Sequence, residues 1–383
     1  MINCFGNKVV YFVNTYDFFV SHRLRIAHEA INKGCRVYVI SSGVPVDPVS
    51  GDLISYINIP LSRSGLNPFS EVFVFFLILI NFIKIRPDVL HLVTIKPVIY
   101  GGIVARLLGV SSVVAAISGL GSVFSAKKGL PLFRLRLVKL LYRFALKHNN
   151  LRVIFQNADD KEKLFSTGAI KQEQTVIIRG SGVGLDEYPH LPEPAGLPVV
   201  AMAARLLKEK GVCEFVEAAR ILKARSIDVD MRLVGAPDFG NPCSVTEDEL
   251  AEWQAEGVVT LMGFRKDIAA QYAASNIVCL PSYYGEGLPK SLIEAAACGR
   301  AVITTDMPGC RDAITPDETG ILIEPKNAVA LADTIQYLIE NPSIRMTMGG
   351  AGRKLAENAF TIESVVEQHM DIYRELLANA SEK

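Results

Sequence analysis

The clearest structural pattern in the chain is IVCLPSYYGEGLPKSLIEAAACG, residues 277–299. The apolar residues 277–280 predict a buried strand, and residues 289–298 predict a helix with Pro289 in its first turn and Gly299 directly after its end. A Gly-Glu-Gly loop between them allows the backbone to approach a ligand closely. Strand, loop and helix in this order are typical of one βα unit of a parallel sheet, with an anion site at the helix N-terminus.

The same alternation of strand and helix patterns extends over the chain. In the first half it predicts strands at residues 8–13, 35–41, 89–93, 113–117, 153–156 and 174–178, and helices at 21–33, 68–85, 98–108 and 131–148. In the second half it predicts strands at 198–203, 230–234, 258–261, 277–280 and 301–304, and helices at 211–225, 289–298, 329–340 and 362–378. Each half is therefore predicted to form a parallel, doubly wound sheet.

A proline-rich stretch separates the two patterns at residues 188–198. We expect an α/β protein of two Rossmann-like, doubly wound domains that face a central cleft. The expected N-terminal domain is residues 1–187 and the linker 188–198. The C-terminal domain is expected at 199–361, and the last helix, 362–383, is expected to cross back to the N-terminal domain.

The composition excludes a disordered chain, because 50% of the 383 residues are hydrophobic and 21% are charged. The net charge is zero, but it is unevenly distributed. Residues 1–187 hold 22 basic and 12 acidic residues, and residues 188–383 hold 18 basic and 28 acidic residues. Seven cysteines without CxxC spacing argue against a disulfide framework or a zinc site and favour a reducing cytosol. The first residues are interpreted as a strand and not as a signal peptide.

The most apolar run is residues 72–83. It is shorter than the roughly 18–20 apolar residues that a membrane span needs. We therefore expect a buried helix there and no transmembrane segment.

Charged residues follow two strands of the second half. Arg205 stands at the carboxyl end of the strand 198–203, and Lys210 opens the next helix, so both could reach a diphosphate. Glu286 lies in the Gly-Glu-Gly loop and Glu294 inside the following helix. Carboxylates beside an anion site make electrostatic sense if they accept hydrogen bonds from sugar or ribose hydroxyls. The combination predicts a site for a nucleotide diphosphate that uses no metal. Asp228-Val229-Asp230 matches a DxD metal motif but begins a strand, and we interpret it as structural.

These residues resemble the retaining glycosyltransferases of family 4, which have the GT-B fold. Glu286 and Glu294 match the Glu-x7-Glu motif of the family, and Arg205 with Lys210 matches its Arg-x4-Lys pair. The resemblance is most specific over residues 201–323. The segments VLHLVTIKPVIYG (89–101) and ISGLGSVF (117–124) resemble a subgroup that acts on polyprenyl-diphosphate-linked saccharides, and RGSGVGLDEY (179–188) resembles a segment that the family has near the linker. The chain departs from the family at Ser118, where many members have a histidine.

The resemblance implies roles for individual residues. Glu286 would contact the donor sugar, Glu294 the ribose, and Arg205 with Lys210 the leaving diphosphate. The implied donor site also includes Gly285, Gly287, Leu288, Pro289 and Lys290, with Gly263, Phe264 and Arg265 at the base. Candidate acceptor contacts are Ser118, Gly119, Lys96 and Arg23, of which Lys96 and Arg23 are equally compatible with a structural role.

A basic helix is predicted at residues 131–148. Arg136, Lys139, Arg143 and Lys147 share one of its faces, and residues 84–152 hold twelve basic residues and one acidic residue. A solvated basic face is one interpretation. A helix that docks on an anionic membrane surface is the one we favour.

We therefore expect a retaining, metal-independent glycosyltransferase without a cofactor. It would move a sugar from a nucleotide diphosphate, UDP in the first instance, to a lipid-linked saccharide in surface polysaccharide or glycan assembly. The expected location is cytoplasmic, on the inner face of the cell membrane, with no nucleic-acid partner. A nucleotide-sugar epimerase and a non-catalytic sugar-nucleotide-binding homologue are the alternatives.

Overall fold

The computed structural model describes residues 6–45, 53–62, 67–120, 132–238 and 240–382, and the side chains of residues 132–135 are not described. The chain divides into two compact units. Unit 1 consists of Met1–Ser181 together with Ile362–Lys383, and unit 2 is Gly182–Thr361. Of the elements predicted above, Pro131 and residues 121–124 lie outside the described residues.

Unit 1 contains a parallel sheet of seven strands in the order β3-β2-β1-β4-β5-β6-β7. The strands are β1 (Lys8–Thr15), β2 (Arg36–Ser42), β3 (Ile54–Asn58), β4 (Val89–Val93), β5 (Ser112–Ile117), β6 (Leu151–Phe155) and β7 (Thr175–Ile177). Its central strands are buried along their whole length, which is why they appear in the sequence as unbroken apolar runs.

The helices of unit 1 lie in two groups. They are α1 (Tyr16–His22), α2 (Leu24–Asn32), α3 (Pro68–Ile85), α4 (Ile95–Leu108), α5 (Leu132–Ala145), α6 (Ala158–Phe165) and the last helix, α13 (Ile362–Ser381). Helices α3, α4 and α5 share one hydrophobic core with the sheet, and α1, α2 and α13 share another. The two cores lie on opposite faces of the sheet, as expected when alternate residues of each strand point to opposite sides.

Helix α3 is not the buried helix that the sequence predicts. Only Val74, Ile78, Phe82 and Ile85 are buried, because α3 packs on the rest of unit 1 with one side only. The opposite side is exposed and apolar. Among the described residues, α3 is the one helix whose length and composition would allow it to cross a membrane, and 22% of it is buried.

The last helix, α13, belongs to unit 1, although 180 residues of unit 2 precede it. Two carbonyl contacts fix its position: Asn150 Nδ2 and Ser112 Oγ donate to Leu376 O at 2.7 and 3.1 Å. Tyr373 Oη contacts His91 Nδ1 at 2.5 Å inside the core. His91 is fully buried, in agreement with the structural role expected for a histidine inside an apolar strand.

Unit 2 contains a sheet of six parallel strands in the order β10-β9-β8-β11-β12-β13. The strands are β8 (Val199–Ala203), β9 (Asp230–Val234), β10 (Thr260–Gly263), β11 (Ile277–Leu280), β12 (Ala301–Thr305) and β13 (Gly320–Ile323). The helices are α7 (Val212–Ala224), α8 (Glu247–Glu256), α9 (Ile268–Ala273), α10 (Lys290–Ala297), α11 (Ala328–Glu340) and α12 (Pro342–Ala359). Both units are thus Rossmann-like, as predicted.

The boundary between the units lies after Ser181 and not after Glu187. Val183 N–H donates to Phe360 O at 2.9 Å, and Leu185 and Tyr188 pack on the core of unit 2. These contacts explain why residues 182–187 belong to the second unit and not to the first.

Candidate active site

Three loops meet at the carboxyl edge of the unit 2 sheet. They follow β8, β11 and β12, and two glycines keep them in contact. A Cβ atom on Gly211 would lie 2.2 Å from Pro281 O, and one on Gly309 would lie 2.3 Å from Gly287 O. Both glycines have a positive φ, 82° and 83°. Only glycine fits at either position, so these two residues set how closely the loops approach one another.

The centre of the site is an ion pair between Lys210 and Glu286. Lys210 Nζ bonds to Glu286 Oε1, and both side chains are largely buried. Ser282 Oγ donates to the same carboxylate oxygen at 3.0 Å, and Tyr284 presents its ring to the ammonium group. The expected cation and the expected carboxylate are therefore brought together, although 76 residues separate them.

Arg205 occupies the end of β8, as predicted, and its guanidinium has a carboxylate partner. Arg205 Nη1 lies 2.7 Å from Asp238 Oδ2. Asp238 is held in turn by its own backbone N–H, which donates to Ser244 Oγ at 2.9 Å. Both charged groups are partly exposed to solvent, so a phosphate oxygen in solution could compete for the guanidinium.

Glu294 lies inside α10 and is 7% exposed. Tyr188 Oη donates to Glu294 Oε1 at 2.6 Å, and Lys290 Nζ lies 3.4 Å from the same oxygen. Burial raises the pKa of the Glu294 carboxyl above its ordinary value, and Lys290 and Tyr188 oppose that shift. Pro289 is the N-cap of α10 and not a residue of its first turn, because its ψ of 121° is extended. Gly299 has a φ of 68° directly after the helix, as expected.

The segment proposed to line the base follows β10, which begins and ends two residues later than predicted. Gly263 is the last strand residue, with a φ of 64°. The Phe264 ring is 71% exposed and offers a flat surface for stacking. Arg265 is bound to Asp267 by two hydrogen bonds of 2.8 Å, which fix the orientation of its guanidinium.

Unit 1 has a polar edge of its own where β1, β4 and β5 end. Asn14 Oδ1, Thr94 Oγ1 and Ser118 Oγ are buried there and have no hydrogen-bond partner among the described residues. Thr94 N–H donates to Ala116 O at 3.3 Å, which keeps the ends of β4 and β5 together. A buried polar atom without a partner costs about 1–3 kcal/mol, so three of them at one edge point to a ligand with hydroxyl groups.

Backbone strain accompanies these polar atoms. Thr94 has a φ of 74°, which is uncommon for a β-branched residue, and Gly119 has a φ of 102°. Strain of this kind concentrates at functional sites. Ser118 and Gly119 were predicted from the sequence as acceptor contacts, whereas Asn14 and Thr94 were not.

The side chains of two other acceptor candidates are engaged in contacts within unit 1. Arg23 is 2% exposed and Nη1 donates to His22 O at 2.8 Å, inside the core that α2 shares with α13. Lys96 Nζ bonds to Glu71 Oε1 at 2.7 Å and to Ser62 O at 2.8 Å. Burial of Arg23 and the ion pair of Lys96 favour the structural alternative for both residues.

The basic helix ends earlier than predicted, at Ala145, so Lys147 follows it. Arg136, Arg143 and Lys147 are exposed and Lys139 is partly exposed. Arg106 of α4 donates to Phe144 O at 3.3 Å and lies over the Phe144 ring at 4.2 Å. The basic groups therefore remain available at the surface of unit 1.

Sequence reasoning missed several residues that shape the site. They are Tyr188, Asp238, Ser282 and Gly309. The signal for Gly309 is its position in a Pro-Gly pair in the loop after β12, which is typical of a tight loop. The other three have no spacing that indicates their partners.

Two Rossmann-like units, one of which carries two cations and two carboxylates on the segments that follow β8 and β11, define a protein of the GT-B class. Family models agree: "Glycosyl transferase 4-like" matches residues 8–157, and "Glycosyl transferases group 1" matches residues 187–355. Two glycosyltransferase family models therefore match the chain, one within each unit.

Relatives and solved structures support the same conclusion. The chain is 29% identical over 257 residues to the N,N'-diacetylbacillosaminyl-diphospho-undecaprenol alpha-1,3-N-acetylgalactosaminyltransferase of Campylobacter jejuni, covering 63% of this chain and 65% of that enzyme. It spans about half the length of two other curated relatives. A glycosyltransferase from Rickettsia africae has a TM-score of 0.75 at 22% identity, over 97% of this chain and 99% of that one. The Anabaena protein HepE, in complex with UDP and glucose, has a TM-score of 0.74 at 18% identity, over 95% of this chain and 98% of that one. These likenesses confirm the fold class.

Proposed function

We propose that the protein transfers a sugar from a UDP-sugar to a saccharide carried on a polyprenyl diphosphate. The observation that carries the proposal is the contact of Lys210 with Glu286 beside the N-terminus of α10. One cation for the diphosphate and one carboxylate for the sugar then lie within a single hydrogen bond of each other. The UDP complex of HepE and the name of the Campylobacter relative support the choice of donor and acceptor.

Donor binding would exchange the partners of both cations. Arg205 is bonded to Asp238 and Lys210 to Glu286. When the diphosphate oxygens take over Arg205 and Lys210, Glu286 becomes available to accept a hydrogen bond from a sugar hydroxyl. Glu294 is positioned by Tyr188 for the hydroxyls of the ribose.

Transfer would retain the anomeric configuration. The bond from the sugar C1 to the phosphate oxygen breaks, and the acceptor hydroxyl forms a bond to C1 on the same face. The acceptor proton passes to the departing phosphate, so charge and atoms balance. Arg205, Lys210 and the N-terminus of α10 stabilise the charge that develops on the diphosphate, and a strong donor of this kind contributes about 3 kcal/mol.

The reaction would need no metal ion, because Arg205 and Lys210 already supply positive charge for the diphosphate. A transferase that depends on a divalent cation would lose its activity in EDTA. Activity that survives EDTA supports the proposal, and activity restored only by adding a divalent cation contradicts it.

The acceptor would bind at the polar edge of unit 1, where Ser118, Asn14 and Thr94 offer buried polar atoms that no other group in the described part of the chain pairs with. A saccharide hydroxyl satisfies each of them. Ser118→Ala should therefore weaken acceptor use and leave UDP binding unchanged.

We infer that the enzyme works at the cytoplasmic face of the cell membrane, where a UDP-sugar would meet a lipid-linked acceptor. Exposed Arg136, Arg143 and Lys147, with Lys139, provide positive charge for an anionic lipid surface. Replacing these four residues by Gln should release the protein from anionic vesicles. Unchanged cosedimentation would contradict the contribution of this helix.

The site assignment is tested by Glu286→Ala and Arg205→Ala. Each should remove most of the transfer activity while the fold stays intact, and Glu318→Ala, an exposed carboxylate of the same unit, serves as the matched control. Wild-type activity in both site variants would refute the assignment. An epimerase would convert the donor without an acceptor, and a non-catalytic homologue would bind UDP without any conversion.

A further inference from the structure

The outer side of α3 is an apolar stripe that none of the described elements of unit 1 covers. Its members are Phe69, Val72, Phe73, Phe76, Ile80 and Ile83, which are between 44% and 87% exposed. At about 100° per residue, these positions fall within an arc of about 100°, opposite the four buried residues of the helix. The stripe is therefore one continuous surface and not a set of scattered side chains.

Exposed apolar residues concentrate on this side of unit 1. Six of the 23 large exposed apolar side chains among the described residues lie on α3, two on α4 and three on α5. Those on α4 and α5 are Leu107, Leu108, Leu137, Leu140 and Phe144. Apolar patches of this extent on a soluble surface mark an interaction site.

The charges around the stripe are mostly positive. Helices α3, α4 and α5 contain seven basic residues and one acidic residue, Glu71, which is bonded to Lys96 and Tyr100. The three helices connect strands of one parallel sheet, so their C-termini lie at the same edge. Lys84, Arg86, Arg106, Arg143 and Lys147 lie at these C-terminal ends.

We propose that the apolar stripe of α3 inserts into the headgroup region of an anionic phospholipid bilayer, with the basic C-terminal ends of α3, α4 and α5 on the lipid phosphates. An apolar side flanked by Lys and Arg is the pattern of a helix that lies in a membrane interface. The reason for such docking rests on the proposed function, because a polyprenyl-linked acceptor resides in the bilayer. The insertion is thus assigned to α3, where the sequence indicated only α5.

A helix that inserts into the headgroup region differs from one that spans the bilayer. Val74, Ile78, Phe82 and Ile85 pack into the core of unit 1, so α3 cannot leave that core without exposing these residues. The helix therefore lies along the membrane surface, and alkaline carbonate should release the protein from vesicles. Retention after carbonate treatment would overturn peripheral docking.

The first experiment compares vesicle binding of two triple variants. Phe73→Ser, Phe76→Ser and Ile80→Ser together remove the middle of the stripe. Val329→Ser, Ile344→Ser and Met346→Ser form the matched control, because these residues are also helical and similarly exposed, and they belong to unit 2. With vesicles of phosphatidylcholine and phosphatidylglycerol, the α3 variant should bind at least tenfold more weakly and the control should bind as the wild type does.

Equal binding of the two triple variants would overturn the proposal. A second outcome would also overturn it: a dimer of the wild type in lipid-free solution that the α3 variant converts to a monomer would identify a second copy of the chain as the occupant. Binding that is as strong to pure phosphatidylcholine would refute the role of the basic ends.

A spectroscopic measurement covers the case in which the α3 variant does not fold. The chain has one tryptophan, Trp253, which lies in the core of unit 2. Phe76→Trp adds a second one in the stripe, and brominated lipids should quench the fluorescence of the new residue only. No added quenching would contradict insertion. These vesicles contain neither donor nor acceptor, and UDP binding is measured separately, so failure of the docking and failure of the proposed function are distinguishable.

Discussion

Tyr188 and Glu294 are 106 residues apart in sequence, and the Tyr188 hydroxyl donates a hydrogen bond of 2.6 Å to Glu294 Oε1. Tyr188 lies at the start of unit 2 and Glu294 inside α10, so this contact connects the entry segment of the unit to its proposed ribose contact. Glu294 is buried and can have little access to water. The orientation of its carboxylate therefore depends on Tyr188 and Lys290.

Removing the Tyr188 hydroxyl tests that dependence. Tyr188→Phe should raise the dissociation constant of UDP about tenfold, because a hydrogen bond to a charged group contributes roughly 1.5–3 kcal/mol. The loss should appear in KM for the donor more than in kcat. Titration calorimetry with UDP measures it, and Tyr337→Phe, an exposed tyrosine of the same unit, is the control. Equal affinities of the two variants would contradict the positioning role.

The raised pKa of the Glu294 carboxyl predicts a dependence of stability on pH. A carboxyl whose pKa is higher in the folded state favours folding while it is protonated, and this advantage disappears as the pH rises through the folded-state pKa. The wild type should therefore lose stability relative to Glu294→Gln as the pH rises above the ordinary value of 4.5. Urea unfolding between pH 4 and pH 8 provides the comparison. A difference in stability that stays constant over this range would show that the carboxyl titrates normally.

The Arg205–Asp238 ion pair predicts that removing the Asp238 charge increases the affinity for UDP. Asp238 occupies the guanidinium that the diphosphate needs, so Asp238→Asn should tighten UDP binding. The gain should be about fivefold at most, because ion pairs with this exposure contribute about 0.2–1 kcal/mol. In the Arg205→Ala background the same substitution should have no effect. A gain that persists without Arg205 would show that Asp238 acts on the donor by another route.

Position 309 should tolerate no side chain larger than that of glycine. A Cβ atom there would lie 2.3 Å from Gly287 O and 2.7 Å from Glu286 O, at a φ of 83°. Gly309→Ala should displace the loop that carries Glu286 and weaken UDP binding more than tenfold. Gly350→Ala is the control, since a Cβ atom at Gly350 would meet no other atom within 4 Å and alanine favours the helix. Similar UDP affinities of the two variants would refute the contribution of Gly309.

Much of the fold can be predicted from the sequence because its central strands are short apolar blocks. The predicted bounds of β4, β9 and β11 agree with the structure. Helix α3 was also placed correctly, since Asn67 caps it and Pro68 opens it. Its exposure could not be predicted, because a helix that is apolar on every side does not indicate which side the core covers.

Other elements were missed for identifiable physical reasons. Strand β3 lies at the edge of its sheet and mixes polar with apolar residues, so it lacks the unbroken pattern of the central strands. Helix α12 contains Gly349-Gly350, which suggests a break. In the structure a Cβ atom on Gly349 would lie 2.2 Å from Gly299 O, so a glycine is needed there for close packing within an unbroken helix.

The candidate site could be predicted only in part. Arg205, Lys210, Glu286 and Glu294 follow from motif spacing, because each stands at a fixed offset from the end of a strand. Their partners do not follow, since Asp238 and Tyr188 are brought in by loops without periodicity. The pairing of Lys210 with Glu286 is likewise a result of tertiary structure.

The most direct test of the proposed activity is the formation of a labelled lipid product. The purified protein is incubated with labelled UDP-sugars and an undecaprenyl-diphosphate-linked saccharide, and the lipid fraction is extracted. We predict a labelled lipid-linked saccharide that requires the acceptor, persists in EDTA and disappears in Glu286→Ala. Conversion of the UDP-sugar without acceptor, or no labelled lipid with any UDP-sugar, would contradict the account.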